Sequence, residues 1–234
     1  MITIRNLTKS YDGKKNAVEN INLDIESGDI FGFVGLNGAG KSTTIKCLVG
    51  ILGFSEGEIT VNGRSIKEDP IACKSEMAYI SDNPEIYAYM RGIDFIKFIL
   101  SIYKTPYDKD KVMSFARSFE LDDVLGNLVS SYSHGMKQKL VLMSAFLHEP
   151  KILVLDEPFV GLDPKATHML KSMMQEYAAK GNSIFFSTHV LEVAEKLCNK
   201  VAIIKDGRIA ACGTMEEITV SSSLEDYFLE VNNE

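Results

Sequence analysis

The chain has 234 residues, 45% of them hydrophobic and 24% charged, which is enough length and apolar content to bury one sizeable core in a single compact domain. Its formal net charge of -7 speaks against a nucleic-acid partner, because backbone binding needs an excess of clustered Lys and Arg. No apolar run reaches the roughly 20 residues that span a bilayer, and Met1-Ile2-Thr3-Ile4-Arg5 has no charged-then-apolar targeting pattern. Cys47, Cys73, Cys198 and Cys212 are scattered without metal-ligand spacing, so they are expected in the core of a protein from a reducing compartment.

Ile21, Leu23 and Ile25 alternate as in a half-buried strand, and the apolar run Ile30 to Val34 leads through a glycine-rich turn into a helix expected from Ser42 to Leu52. Further strands are predicted at Glu58 to Val61, Met77 to Ile80, Ile152 to Leu155, Ser183 to Phe186 and Val201 to Ile204, with helical patterns between several of them. The stretch from about 84 to 148 lacks a convincing buried strand. It carries Phe95, Ile96, Ile99, Leu100 and Tyr103 at helical spacing and a second helix near Lys109 to Phe119, and it reads as a helical insertion. Asp163-Pro164 supplies the cap and first-turn proline of a helix from Lys165 to Lys180, which Gly181 stops. Asp206-Gly207 forms a hairpin turn, and Leu224 to Leu229 is an amphipathic end segment in a short tail from 214 to 234.

Chemistry concentrates at two places. Gly35-Leu36-Asn37-Gly38-Ala39-Gly40-Lys41-Ser42-Thr43 fits the P-loop pattern GxxxxGK[ST] between strand and helix, where small residues let backbone N–H groups close around phosphate oxygens. Lys41 would neutralise the β and γ phosphates of a nucleotide and Ser42 would ligate Mg2+. The strand at Ile152 ends in two adjacent carboxylates, Asp156 and Glu157, followed by Pro158. Alone, such a pair reads as a solvated loop; beside a P-loop, Asp156 is expected to hold Mg2+ and Glu157 to orient or deprotonate an attacking water.

A P-loop also suits a kinase or a GTPase, and other residues discriminate. Ser131-Tyr132-Ser133-His134-Gly135-Met136-Lys137-Gln138-Lys139 resembles the signature segment of the ATP-binding cassette (ABC) ATPases, in the family's place before the Asp156 strand. The resemblance covers essentially residues 1 to 213. It implies that Ser133 and the Gly135 N–H, at a helix N-terminus, bind the γ phosphate of ATP held by the opposite subunit. It also implies that Tyr11 stacks on adenine, that Gly161-Leu162-Asp163 crosses a dimer interface, and that His189 contacts the γ phosphate. His134 and Met136 stand where the family's signature has a glycine and a glutamine. Asp82 stands where the family has a glutamine near Mg2+ and the attacking water; a carboxylate accepts there but cannot donate.

The expected fold is therefore an α/β P-loop domain with a mainly parallel central sheet, an N-terminal antiparallel β portion and a helical subdomain. The expected function is ATP hydrolysis by a cytoplasmic, membrane-peripheral transporter subunit. It would work as a head-to-tail dimer with a second copy or a homologous subunit, acting on membrane-spanning partners of multidrug or ABC-2 exporter type. The rival is a soluble ABC ATPase coupled to no transport, such as an iron–sulfur-assembly ATPase. A GTPase reading fails because Asn199-Lys200-Val201-Ala202 lacks the final Asp of a guanine reader.

Overall fold

The computed structural model describes residues 1–233. The chain opens with β1 (Ile2–Ser10) and β2 (Asn16–Ile25), antiparallel with Ile2 opposite Ile25 and Ile4 opposite Leu23, so that alternate aliphatic side chains enter one core. β3 (Ile30–Val34) is buried along its whole length, and α1 (Lys41–Leu48) follows it. This helix stops short of Leu52 because Gly50 turns left-handed at φ 66°. β4 (Glu56–Val61) lies antiparallel to β1 and pairs with the short β5 (Arg64–Ser65), completing a sheet in the order β2-β1-β4-β5. β1 was not expected as a separate strand, although its Ile2, Ile4, Leu7 spacing marks a buried face once the two residues between Ile4 and Leu7 are taken as a bulge.

A short α2 (Pro70–Ser75), capped by Asp69, precedes β6 (Met77–Ile80). Among the described residues the chain then forms no regular strand until β7 (Ile152–Asp156). The intervening segment holds α3 (Gly92–Ile102), α4 (Lys109–Ser118) capped by Asp108, a 3-10 turn at Val129–Ser131, and α5 (His134–Leu147) capped by Ser133. α6 (Pro164–Ala179), β8 (Ser183–Thr188), α7 (Leu191–Leu197), β9 (Lys200–Lys205) and β10 (Arg208–Thr214) follow. The turn between the last two strands has φ 49° at Asp206 and 79° at Gly207, the double left-handed geometry that a two-residue hairpin favours. α8 (Met215–Ile218), with a capping box between Thr214 and Glu217, and α9 (Leu224–Asn233) close the chain.

The second sheet runs β10-β9-β3-β8-β7-β6, parallel throughout except for β10 at its edge. Its central strands divide their side chains between two cores. Phe31, Phe33, Val154, Phe185 and Ile204 meet the aliphatic face of the antiparallel sheet and α1, with Phe185 packed 5.4 Å from Phe33 and 5.7 Å from Phe31. Ile30, Val34, Leu153, Leu155, Ile184, Phe186 and Val201 face the helices on the other side. That second core runs without a break into Phe95, Ile96, Leu100, Val112, Leu140 and Met143, so α3, α4 and α5 are built onto the sheet. The α/β class, the parallel sheet and the antiparallel N-terminal portion are as the sequence predicts. The reading of all four cysteines as core residues needs correction at Cys212, which is exposed on the edge strand β10, while Cys47, Cys73 and Cys198 are buried. No described helix is long and apolar enough to cross a membrane.

The C-terminal ends of α3 and α5 meet through an aromatic stack, Tyr103 on His148, with ring centroids 3.9 Å apart and planes 15° from parallel. The His148 Nδ1 lies 3.0 Å from the Ser144 carbonyl, its Nε2 is buried without a partner, and burial pushes its pKa below the ordinary histidine value. The native state therefore favours the neutral ring, while the unfolded chain takes up a proton at about pH 6.5. This contribution to stability is present above that pH and is lost as pH falls through the depressed native value. Denaturation midpoints between pH 7.5 and 5 should fall more steeply for the wild type than for His148→Gln; parallel curves would exclude the effect.

Candidate active site

β3, β8 and β7 end at one edge of the sheet, with Val34 opposite Thr188 and Asp156 opposite Ser187. The glycine-rich loop leaves β3 there and returns as α1. Two glycines in it are required by space. A Cβ on Gly35 would lie 2.6 Å from the Ile204 carbonyl oxygen, and one on Gly40, at φ 111°, would lie 2.7 Å from Val18 Cγ1. The loop is braced from outside, since the Gly207 N–H donates to the Ala39 carbonyl at 2.9 Å and the Glu19 N–H donates to the Gly207 carbonyl at 2.8 Å.

An open cleft of about 520 Å³ lies over this loop, lined by Tyr11, Asn37, Gly38, Gly40, Lys41, Ser42, Thr43, Asp82 and Glu157 among the residues singled out from the sequence. Gly35 and Ala39 frame the loop without lining the cleft. The Lys41 ammonium is buried. It donates to the Gly35 carbonyl at 2.7 Å and the Leu36 carbonyl at 3.2 Å and lies 3.5 Å from Glu157 Oε1. Tyr11 lines the cleft and is exposed, with its hydroxyl 3.1 Å from Thr43 Oγ1 and the Lys9 ammonium 5.4 Å from its ring centroid.

The carboxylates are held by Ser187. Its hydroxyl donates to Asp156 Oδ1 at 2.5 Å and accepts from the Glu157 N–H at 3.0 Å. Asp156 is fully buried and its Oδ2 has no hydrogen-bond partner. Glu157 adopts φ 49°, an uncommon backbone conformation for a residue with a Cβ, and the Ser187 bond secures it there. Its Oε2 lies 3.0 Å from His189 Nδ1, and Oε1 points to Lys41. His189 is half-exposed, so the row Lys41, Glu157, His189 runs from the buried floor of the site outward. Ser187 was not singled out from the sequence. Its bridging role depends on the β7–β8 register, which no local pattern reveals.

Asp12, Lys15, Asn16, Ala17, Leu36, Asp206 and Gly207 also line the cleft. None was anticipated as lining, because the hairpin turn at 206–207 reaches the loop only through the non-local bonds to Ala39 and Glu19. Asp82 lines the cleft, and its Oδ1 accepts the N–H of Asn83 at 2.9 Å.

Ser133, Gly135 and Asp163 lie outside the cleft lining. Ser133 Oγ caps α5 by accepting the Met136 N–H at 3.2 Å, and Asp163 Oδ1 caps α6 by accepting the Ala166 N–H at 2.8 Å. The two segments touch: a Cβ on Gly135 would lie 2.8 Å from the Gly161 carbonyl oxygen, and one on Gly161 would lie 2.8 Å from the His134 ring. The structure therefore gathers the predicted residues into two groups, a cleft and a separate exposed ridge.

Among known proteins, the family model for the ABC transporter matches residues 18–160. The ABC-type transporter ATP-binding protein EcsA of Bacillus subtilis (strain 168) is 33% identical over 242 aligned positions, covering 100% of this chain and 97% of that protein. A solved ATP-binding subunit of an ABC transporter superposes with TM-score 0.92 at 32% identity, over 99% of both chains. An ATP-binding cassette solved as a dimer in a post-hydrolysis state with ADP and Pi shares the fold, with TM-score 0.83 at 19% identity over 92% of this chain and 99% of that one. With the family match spanning the loop, both carboxylates and the Ser133–Gly135 part of the ridge, and relatives one-third identical along the whole length, this chain belongs to the ABC transporter family, as an ATP-binding subunit that hydrolyses ATP.

Proposed function

We propose that the cleft holds ATP with Mg2+, that Glu157 is the general base, and that the ridge completes the cleft of a second copy or a homologous subunit in a head-to-tail dimer. The observation that carries this reading is the convergence of Lys41, Glu157 and His189 on one line above the glycine-rich loop. Lys41 has three protons and fixed carbonyl partners for two of them, so it offers a positioned charge to the β and γ phosphates. The loop N–H groups and the N-terminal end of α1 add to that field. The exposed Tyr11 ring at the cleft suits stacking on adenine.

The donor set fits Mg2+. The unpartnered Asp156 Oδ2, and the Ser42 hydroxyl and Asp82 carboxylate in the cleft lining, are hard oxygen ligands. When bound, the ion withdraws charge from the phosphate oxygens. Glu157 takes a proton from water as the water oxygen attacks the γ phosphorus, the bond to the bridging oxygen breaks, and ADP and phosphate leave. His189 keeps the Glu157 carboxylate in place through its Nδ1 contact and can reach a γ-phosphate oxygen with its other nitrogen. Asp163, Ser133 and Gly135, being outside the cleft, serve the nucleotide of the partner copy.

In this reading the chain is one ABC ATPase domain, with a helical subdomain at about 84–148 and a short tail at 214–234, peripheral on the cytoplasmic face of a membrane. Closure of the dimer drives membrane-spanning partners of exporter type, a choice supported by the Ser-His-Gly-Met signature. The partners dock beside Tyr87 and Tyr89, which are exposed at 62% and 93% and so are poorly accounted for as subdomain core. Tyr87 meets Phe98 of α3 edge-on, with ring centroids 5.7 Å apart, which ties that surface to the helical segment.

Lys41→Ala should abolish productive ATP binding, with nucleotide affinity falling by roughly two orders of magnitude or more in titration calorimetry; undiminished affinity would remove Lys41 from the site. Glu157→Gln should bind ATP, lose roughly 10²–10⁴-fold in hydrolysis rate, and accumulate as a dimer in sedimentation with ATP and Mg2+. Retained turnover would assign the base elsewhere. Alanine at Tyr87 and Tyr89 together should reduce copurification of the membrane partner and transport at least severalfold while nucleotide affinity stays within about twofold. Normal assembly and transport would place docking on another surface.

A further inference from the structure

Behind the ridge, and outside the cleft, lies a cluster of four charged side chains. Lys139, on the second turn of α5, is nearly buried. It donates to Asp163 Oδ2 at 2.8 Å and lies 3.8 Å from Glu120 Oε2. Glu120, which follows α4 with φ 56°, is also paired to Lys165 on the first turn of α6. Asp163 is thereby used twice, with Oδ1 on the cap of α6 and Oδ2 on Lys139. The Lys139 hydrogen bond holds its carboxyl below the usual carboxylate range.

A buried ammonium is costly to desolvate, and an apolar side chain of similar size would fill the same space with equal or greater stability. What the ion pair adds is direction. Lys139 lies one helical turn behind Gly135, and Asp163 lies two residues beyond Gly161, so the pair fastens together the two segments that touch at the ridge. We propose that Lys139 is a positioning residue whose bond to Asp163 locks the Ser133–Gly135 end of α5 to the Gly161–Asp163 loop, so that both reach the partner copy's nucleotide as one unit. This rests on the head-to-tail reading above. Without the bond, the two segments approach the second copy independently, and dimer closure carries the entropy cost of ordering them.

The test uses the full chain in the Glu157→Gln background and measures the ATP concentration that half-converts monomer to dimer by sedimentation with Mg2+. Adding Lys139→Met should raise that concentration roughly tenfold, the effect of losing one charge-assisted hydrogen bond, while ATP affinity of the monomer stays within about twofold. Lys139→Arg should restore most of the loss, which a role in filling space alone would not predict. Lys139→Gln keeps a polar side chain and removes the charge, so it should reproduce the shift even if Lys139→Met proves too unstable to measure. Unchanged midpoints in Lys139→Met, or in Lys139→Gln where Lys139→Met does not fold, overturn the inference alone. Failure of Glu157→Gln itself to dimerise overturns the head-to-tail reading and this inference with it.

Discussion

The parallel register of β3, β8 and β7 is the constraint on which the candidate cleft depends. Because Val34 is level with Thr188 and Ser187 is level with Asp156, three loops far apart in sequence start from one line. Parallel strands place their C-terminal ends together, and ligands of open α/β sheets gather there. Asp156 closes β7, Glu157 and His189 are the first residues after β7 and β8, and Lys41 opens α1 at the far side of the glycine-rich loop that leaves β3. A slip of one residue between β7 and β8 would turn the Ser187 hydroxyl away from Asp156 and leave two carboxylates without their common donor.

The charges of the site are tolerable because each is offset locally. Lys41 is buried against two carbonyls and a carboxylate, and Asp156 is buried against a hydroxyl. What stays unsatisfied is on the carboxylate side, at Asp156 Oδ2 and Glu157 Oε1. Buried acceptors without donors are expensive, and here they accumulate where a cation and a water are expected to act. The strained backbone at Glu157 belongs to the same pattern, with stability given up at the position where the carboxylate must be aimed.

Much of this was legible from the residues. The run Ile30 to Val34, apolar apart from Gly32 and leading into a glycine-rich turn, reads as a strand buried on both faces, and the glycines after it announce backbone in unusual geometry. Asp163-Pro164 and Gly181 bounded a helix that the structure places at Pro164–Ala179. What stayed hidden was long-range. α2 and α8 are too short for periodicity to register, and β1 is interrupted by bulges that break its alternation. The cleft wall at Asp206 and Gly207 looked like an ordinary hairpin, since nothing nearby in sequence says that its far side is the glycine-rich loop. Ser187, and Lys139 beyond its place in the signature segment, were likewise given no role because their partners, Asp156 and Asp163, are reached only through the fold.

The position of β3 in the middle of its sheet has a consequence for synthesis. Its neighbours, β8 and β9, come from the last quarter of the chain, with Ile30 paired to Ile184 and Phe31 to Lys200. As the polypeptide leaves the ribosome, its most apolar early strand therefore waits without hydrogen-bonding partners until nearly the whole chain has been made. The antiparallel sheet, assembled from residues before 66, can form at once and offers its aliphatic face to Phe31 and Phe33 in the meantime. The N-terminal sheet would in this way act as an internal chaperone for the P-loop strand, and a chain released early would display that strand's open edges to other nascent chains.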